Sequence, residues 1–277
     1  MMDLAVAYRI YPGVSKVPAY YSSDKFKLSE MCLASFQEAL GDLKVKVYAI
    51  LDGCPPEYVD LFQRVLQGRD LEIIQPDRIG NHATFGLQID LLRNQTSAEY
   101  VYFAEDDYFY FPEAIKRMVG FIRDSDEVDF VTPYDHPDSY YTSSCHERHF
   151  IKPWGDRYWR TTSSTCLTFL TSRHVLESTQ SILRSYCRGN MDCPMWQAMT
   201  QKFSLFDPRI HFADILRLKL WVRTWQYGFG RVMFGRRYKL WAPIPTLSTH
   251  MESTCLSPLV DWQEEFHRFE LTSGQSS

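Results

Sequence analysis

Apolar and polar positions in the first half of the chain alternate between two periods. Leu4–Ile10 has the short β-type pattern of a buried strand and ends at Tyr11–Pro12–Gly13. Between Leu28 and Leu40, the residues Leu28, Met31, Cys32, Phe36, Ala39 and Leu40 recur at helical spacing. Val45–Leu51 predicts a second strand that stops at Asp52–Gly53, and Pro55 and Pro56 introduce a helix over Glu57–Gln67. Leu71–Gln75 predicts a third strand, and Asn81 is placed to cap a helix running to Asn94. Tyr100–Ala104, Pro112–Arg123 and Val128–Thr132 continue the rhythm as strand, helix and strand. This alternation predicts an α/β fold with a mostly parallel sheet covered on both faces. Ligands of such sheets sit beyond the carboxyl ends of the strands, where Asp52 and the acids after Ala104 both fall.

The second half has a different texture. Pro133 to Tyr158 is long, polar and aromatic, a composition that favours a functional loop. Trp159–Leu170 predicts one or two strands, Ser172–Ser185 a helix, and Asp192 followed by Pro194 a helix start reaching Lys202. From Asp214 to Trp241 the chain turns basic and aromatic: Arg217, Lys219, Arg223, Arg231, Arg236, Arg237 and Lys239 stand against the single acid Asp214. Glu270–Ser277 is polar and is expected to fray.

The sharpest chemical feature is Tyr100–Asp107, an apolar aromatic strand ending in Glu105, Asp106 and Asp107. Three like charges at a strand tip repel one another and resist desolvation, so they need a compensating cation. A hard divalent metal carrying phosphate oxygens is the expected solution, against the plainer reading of a solvated acidic turn.

Composition narrows the setting. The chain has 277 residues, room for one large domain or two small ones with ample core. A formal net charge of -4 gives no reason to expect a nucleic-acid partner. Aromatics at 15% leave rings to spare for stacking on bases or sugars. Seven scattered cysteines without a Cys-x-x-Cys pair predict reduced thiols and a cytoplasmic setting. The Cys145–His149 cluster lacks zinc spacing. The chain enters Leu4–Tyr8 with no basic segment before it, so neither a signal peptide nor a membrane span is expected.

The order of these signals resembles the nucleotide-sugar-dependent glycosyltransferases of the GT-A fold, most closely glycosyltransferase family 2. The resemblance covers residues 3–110 well and 155–255 loosely. It rests on Leu4–Ile10, Val45–Asp52, Gly80–Asn81, Tyr100–Asp107 as a version of an Asp-x-Asp motif, Gly189–Asp192, and Pro245–His250 as a closing Pro-Ser-Leu-x-x-His segment. Three departures stand out: Glu105 replaces the first acid, Asp52 lacks a second Asp and a Ser beside it, and no Glu precedes Asp192. The resemblance implies a single GT-A (Rossmann-like) domain over 1–277, with a mixed, mostly parallel sheet flanked by helices. Residues 1–132 would be a nucleotide-binding half, 133–255 an acceptor-binding half and 256–277 a tail. It also implies a sugar donor carried on UDP, a glycan or other hydroxyl acceptor, inversion, Mn2+ or Mg2+, and a place in polysaccharide biosynthesis.

Glycosyl transfer needs charge stabilisation on the departing diphosphate and removal of a proton from the acceptor hydroxyl. Asp107 is the expected main metal ligand, with Glu105 or Asp106 assisting and His250 as a further ligand or diphosphate donor. Asp192 is the expected general base, competing with a helix N-cap role, and Asp156 is the runner-up. Asp52 is expected to meet the base or ribose, Tyr11 and Arg9 to stack on the base or meet phosphate, and Asn81 to touch the nucleotide or cap its helix. The basic segment 214–241 has three open readings: closure over the diphosphate, peripheral contact with the inner face of a membrane, or a solvated face. Two rival functions are a nucleotidylyltransferase and a non-catalytic carbohydrate-binding relative. The first needs a Gly-rich basic phosphate loop after the first strand, where Tyr11–Lys16 is a poor match. The intact acidic triplet and Asp192 argue against the second.

Overall fold

A computed structural model describes residues 1–14, 17–141, 149–201, 203–206 and 215–273. Cys145–Arg148 of the Cys/His cluster and Asp214 lie outside the described residues. The nucleotide-side elements are β1 (Met2–Ile10), α1 (Lys25–Leu40), β2 (Val45–Leu51), α2 (Pro56–Val65), β3 (Asp70–Ile74), α3 (Gly80–Asn94), β4 (Ala98–Glu105), β5 (Tyr108–Tyr110) and α4 (Ala114–Arg123). Then come β6 (Phe130–Val131), α5 (Asp138–Tyr141), β7 (Ile151–Trp154), β8 (Arg157–Thr162), β9 (Phe169–Ser172), α6 (Arg173–Leu183) and α7 (Asp192–Thr200). The chain continues through α8 (Ile215–Phe234), β10 (Leu240–Ile244), β11 (Ser248–His250) and α9 (Trp262–Ser273).

Nine strands form one sheet in the order β3-β2-β1-β4-β9-β6-β10-β8-β7. β1 pairs in parallel with β2 and β4, β2 with β3, and β6 with β10, whereas β9 and β8 run against their neighbours. All the strands except β8 and β9 therefore point the same way, and the fold is mixed but mostly parallel. The carboxyl ends of β1, β2 and β4 lie together at one edge of this layer.

Strand alternation decides which helices cover which face. Leu4, Val6, Tyr8 and Ile10 of β1, with Tyr102 and Ala104 of β4, join Phe36, Phe62 and Met118 in the core under α1, α2 and α4. Ala5 and Ala7, with Val101 and Phe103, face the opposite core, built with Phe85, Ile89, Phe169 and Trp196 from the α3, α6 and α7 side. The small side chains on β1 let α3 lie close. Gln88 of α3 is buried there and donates to the carbonyls of Ala7 and Ala104 at 2.7 and 3.0 Å.

Several sequence expectations need correction. Asn81 does not cap α3: the helix starts at Gly80, whose φ of +83° suits glycine, with Ile79 as the N-cap residue. Residues 133–158, expected as a loop, contain α5 and β7. β5 follows the acidic triplet directly, and it pairs antiparallel with β11 through His250↔Tyr108. The stretch 256–277, expected as a tail, carries α9 through Ser273. Phe266 and Trp262 of α9 pack with Phe109, Leu28, Met31 and Met251 in a third apolar cluster. Glu270 accepts from the Tyr20 hydroxyl at 2.5 Å and from that of Tyr21. The six cysteines among the described residues are free. No described helix is long and apolar enough to cross a membrane.

Phe266 is fully buried against Phe109 and Tyr20, so it tests whether α9 belongs to the folding unit. Phe266→Ala is expected to cost about 3–5 kcal/mol in urea denaturation, the range for deleting a core aromatic. A loss below about 1 kcal/mol, of the size of an ordinary surface change, would show that α9 is only an appendage.

Candidate active site at the strand tips

The acidic triplet is divided by strand geometry. Glu105 ends β4 in register with Arg9 of β1, so both side chains project toward α3. Arg9 donates to Glu105 Oε1 at 2.6 Å, to the Asn81 carbonyl at 2.9 Å, to Thr84 Oγ1 at 3.3 Å and to Asn81 Oδ1. Thr168 donates to Glu105 Oε2 at 3.0 Å. Burial pushes the Glu105 carboxyl above its ordinary value, and the Arg9 guanidinium opposes that shift.

Asp106 turns the other way. Its Oδ2 meets Lys25 Nζ at 2.6 Å, at the start of α1, and accepts from the Tyr11 amide at 3.4 Å. Burial raises the Asp106 carboxyl against the pull of Lys25. Burial also works against the Lys25 ammonium, but Asp106 holds its pKa above the ordinary value.

Asp107 points forward to β11, where its Oδ2 lies 3.2 Å from His250 Nε2. Burial would raise its carboxyl, yet His250, Lys25 and Arg9 together hold it well below the usual carboxylate range. The Glu252 amide donates to His250 Nδ1 at 3.1 Å, so in the neutral ring the proton sits on Nε2, facing Asp107. The geometry thus displays His250 as a donor. Asp107 Oδ1 is buried without a hydrogen-bond partner among the described residues. A bare carboxylate oxygen there, beside an open cleft, fits a hard divalent cation, which Asp107 would hold. Glu105 and Asp106, already held by protein donors, fit that role less well than the sequence suggested. Among the described residues no three His, Cys, Asp or Glu side chains converge as a metal cage.

The cleft in front of the triplet is open to solvent, encloses about 70 Å³, and is lined by Tyr11, Val14, Lys25, Asp106, Asp107 and His250. Tyr11 is exposed at its mouth. Asp52 is buried, and both its oxygens accept backbone amides, Ile79 at 2.7 Å and Gly80 at 2.8 Å. It therefore caps α3 from a distance and fixes the start of the helix, whose first turn carries Asn81. Asn81 in turn donates to the Tyr186 hydroxyl at 3.0 Å.

Asp192 stands at the first position of α7, after the N-cap residue Met191, and its Oδ1 accepts from the Cys193 amide at 2.7 Å. Burial raises the Cys166 thiol and the Tyr186 phenol, and Asp192 and Glu105 both add to each shift. Asp156 is elsewhere: it sits on the β7–β8 hairpin, exposed and bound to Arg157 and Arg117, each at 3.1 Å. Two groups were missed by sequence reasoning. Lys25 looks like any lysine opening a helix. His136, on which burial acts downward and Asp192 upward, also feels His250 and so belongs to this region. Its only sequence signal was its place in the polar, aromatic stretch after Pro133.

No family model matches the chain, and no curated protein matches it. Among solved structures, the chain is similar to residues 1–349 of S. aureus TarS in complex with UDP-GlcNAc, at 13% identity and a TM-score of 0.42, covering 65% of this chain and 48% of that one. It is also similar to the mannosyltransferase PcManGT of Pyrobaculum calidifontis in complex with GDP-Man and Mn2+, at 14% identity and a TM-score of 0.41, covering 64% of this chain and 46% of that one. A cytidylyltransferase from Leptospira borgpetersenii matches at 11% identity and a TM-score of 0.35, covering 66% of this chain and 65% of that one. The chain thus spans about half the length of the first two structures.

The Arg9–Glu105 pair is buried, and removing one partner leaves an uncompensated charge. Arg9→Met is expected to destabilise the fold by about 3–5 kcal/mol in chemical denaturation. Adding Glu105→Gln to that variant should recover part of the loss. No recovery in the double variant would mean that Arg9 acts through its contacts with α3 instead.

Proposed function

We propose that the chain is a GT-A glycosyltransferase that moves a sugar from a nucleotide sugar, by preference a UDP-sugar, to a hydroxyl of a glycan or similar acceptor, with inversion. The observation that carries this reading is the bare, buried Asp107 Oδ1 beside His250, in a cleft at the carboxyl ends of β1 and β4. Asp107 would hold Mn2+ or Mg2+, which when bound supplies positive charge to the departing diphosphate. The Lys25 ammonium lines the same cleft and offers a donor to diphosphate oxygens, while His250 Nε2–H holds Asp107 in place. The exposed Tyr11 ring gives a stacking surface for the base. Arg9 orients Glu105 and Asn81, and Asp52 sets the start of α3, so both shape the nucleotide side from behind. Asp192 takes the acceptor proton. Asp156 suits that task less, because its hydrogen bond to Arg157 holds it below the usual carboxylate range and makes it a weaker base. Polysaccharide biosynthesis on the cytoplasmic side of a membrane is the setting this chemistry fits.

The nucleotidylyltransferase alternative needs a phosphate cradle after β1. Tyr11–Lys16 has a single glycine and is a poor match to one, and the Tyr11 amide is turned to a carboxylate.

Two variants test the proposal by calorimetry and transfer assays. Asp107→Asn should lose the manganese-dependent part of UDP affinity while keeping the fold. Asp192→Asn should bind UDP and metal as before but transfer sugar slower by roughly two to four orders of magnitude. Unchanged UDP binding in manganese for the first variant would remove the metal site, and near-normal turnover for the second would remove the base.

A further inference from the structure

Helix α8 is apolar on two opposite sides, and only one of them is covered by the fold. Its inner side packs on α7 through the buried Thr224, Gly228 and Val232. A Cβ at Gly228 would come within 2.6 Å of Ala198 Cβ, so glycine there sets the close approach of the two helices. Thr224 also donates to Gln197 at 3.0 Å. On the outer side Ile215, Lys219, Val222, Gln226, Phe229 and Met233 follow one another at alternating three- and four-residue steps, a single stripe on an α-helix. Ile215 is 86% exposed, Val222 47%, Phe229 57% and Met233 52%, with Phe234 beside them at 84%. A helix face meant only for water would carry polar side chains at those positions.

Within the helix and the turn that follows it, every charged residue is basic. From Ile215 to Trp241 the sequence has no Asp or Glu, against Arg217, Lys219, Arg223, Arg231, Arg236, Arg237 and Lys239. Arg223 donates to the Gly189 carbonyl at 2.6 Å and Arg237 to that of Thr200 at 2.8 Å, bonds that fix the side chains but leave their charge uncancelled. Asp129 and Glu127 offset Arg236 and Lys239 at the far end. An apolar stripe bordered by cations matches a helix lying in the interface of an anionic bilayer. A second copy of the chain would bring like charges together, and a nucleic acid would leave the apolar stripe in water.

We propose that the outer face of α8 docks the protein onto an anionic membrane surface, with Val222, Phe229 and Met233 entering the acyl boundary and Lys219 meeting the headgroups. The inference stands independently of the transferase reading. It also gives α8 a geometric link to the candidate base, because α8 packs on the helix that begins at Asp192.

The test is co-sedimentation of the full chain with phosphatidylcholine vesicles, with and without phosphatidylserine, at low and high salt. The chain should partition onto the phosphatidylserine vesicles and come off as salt rises. The exposed double variant Phe229→Ser/Met233→Ser should keep the wild-type circular dichroism and melting temperature, yet lose at least about tenfold in partition. Lys219→Gln should lose about fivefold. Equal sedimentation with both vesicle types, no sedimentation with either, or undiminished binding by the double variant would each overturn the proposal. So would a wild-type dimer in sedimentation velocity that the double variant abolishes in the absence of lipid, because a second copy would then cover the face.

Discussion

The structure depends on how three adjacent carboxylates are accommodated at one strand tip. Their mutual repulsion and burial are both unfavourable, and no single cation could offset all three. Backbone alternation resolves the problem by sending them in different directions. Glu105 goes to the α3 face and meets Arg9, Asp106 goes to the α1 face and meets Lys25, and Asp107 continues toward β11 and meets His250. Each partner comes from a different element, so the triplet ties together β1, α1 and β11 around the end of β4. Arg9 extends the link into α3 through Asn81 and Thr84, and Asp52, just past β2, holds the start of that helix. The charges that define the candidate site are thus also its scaffold.

The same constraint explains why the last part of the chain matters to a site built by its first part. His250 reaches Asp107 only because β11 pairs with β5, the short strand that follows the triplet directly. The Met251 amide adds a bond to the Asp107 carbonyl at 2.8 Å. α9 then covers β5 with Phe266 and Trp262, which shields this pairing from water. Apolar packing remote from the cleft is what keeps the imidazole in reach of the carboxylate.

The first half of the fold was legible because its periods are clean. The spans predicted for β1, β2, β3, β4 and α1 overlap those observed with small shifts at their ends, since each buries a face whose spacing shows in the sequence. The misses share a cause. β5 and β11 span three residues each, too few for a period, and exist through their partner. α9 reads as a polar tail because only a few of its side chains are buried, and the aromatic residues that receive them lie far away in sequence. At the site, the acids and His250 were visible as residue types, but their partners were not. Nothing in Lys25 or Arg9 announces an ion pair, because register and helix placement create it. Asp52 was noticed for its place at a strand end, whereas its hydrogen bonds to the Ile79 and Gly80 amides follow from the β3–α3 turn, which sequence does not specify.

Counting charge at the tip clarifies what the arrangement can accept. Three carboxylates face the guanidinium of Arg9 and the ammonium of Lys25, so with His250 neutral the cluster keeps one negative charge. That charge sits on Asp107, the member paired with an imidazole and the one with a bare buried oxygen. Had Glu105 and Asp106 been unpaired as well, a divalent ion would be absorbed by the protein's own acids. With both already neutralised, the same ion would leave the tip with a positive charge, held in a cleft where water screens it less than in bulk. A diphosphate is the complement of such a charge, and its negative charge grows as a glycosyl bond to it breaks. The internal ion pairs therefore do more than make the triplet tolerable: they leave a single carboxylate to govern the charge offered to a ligand.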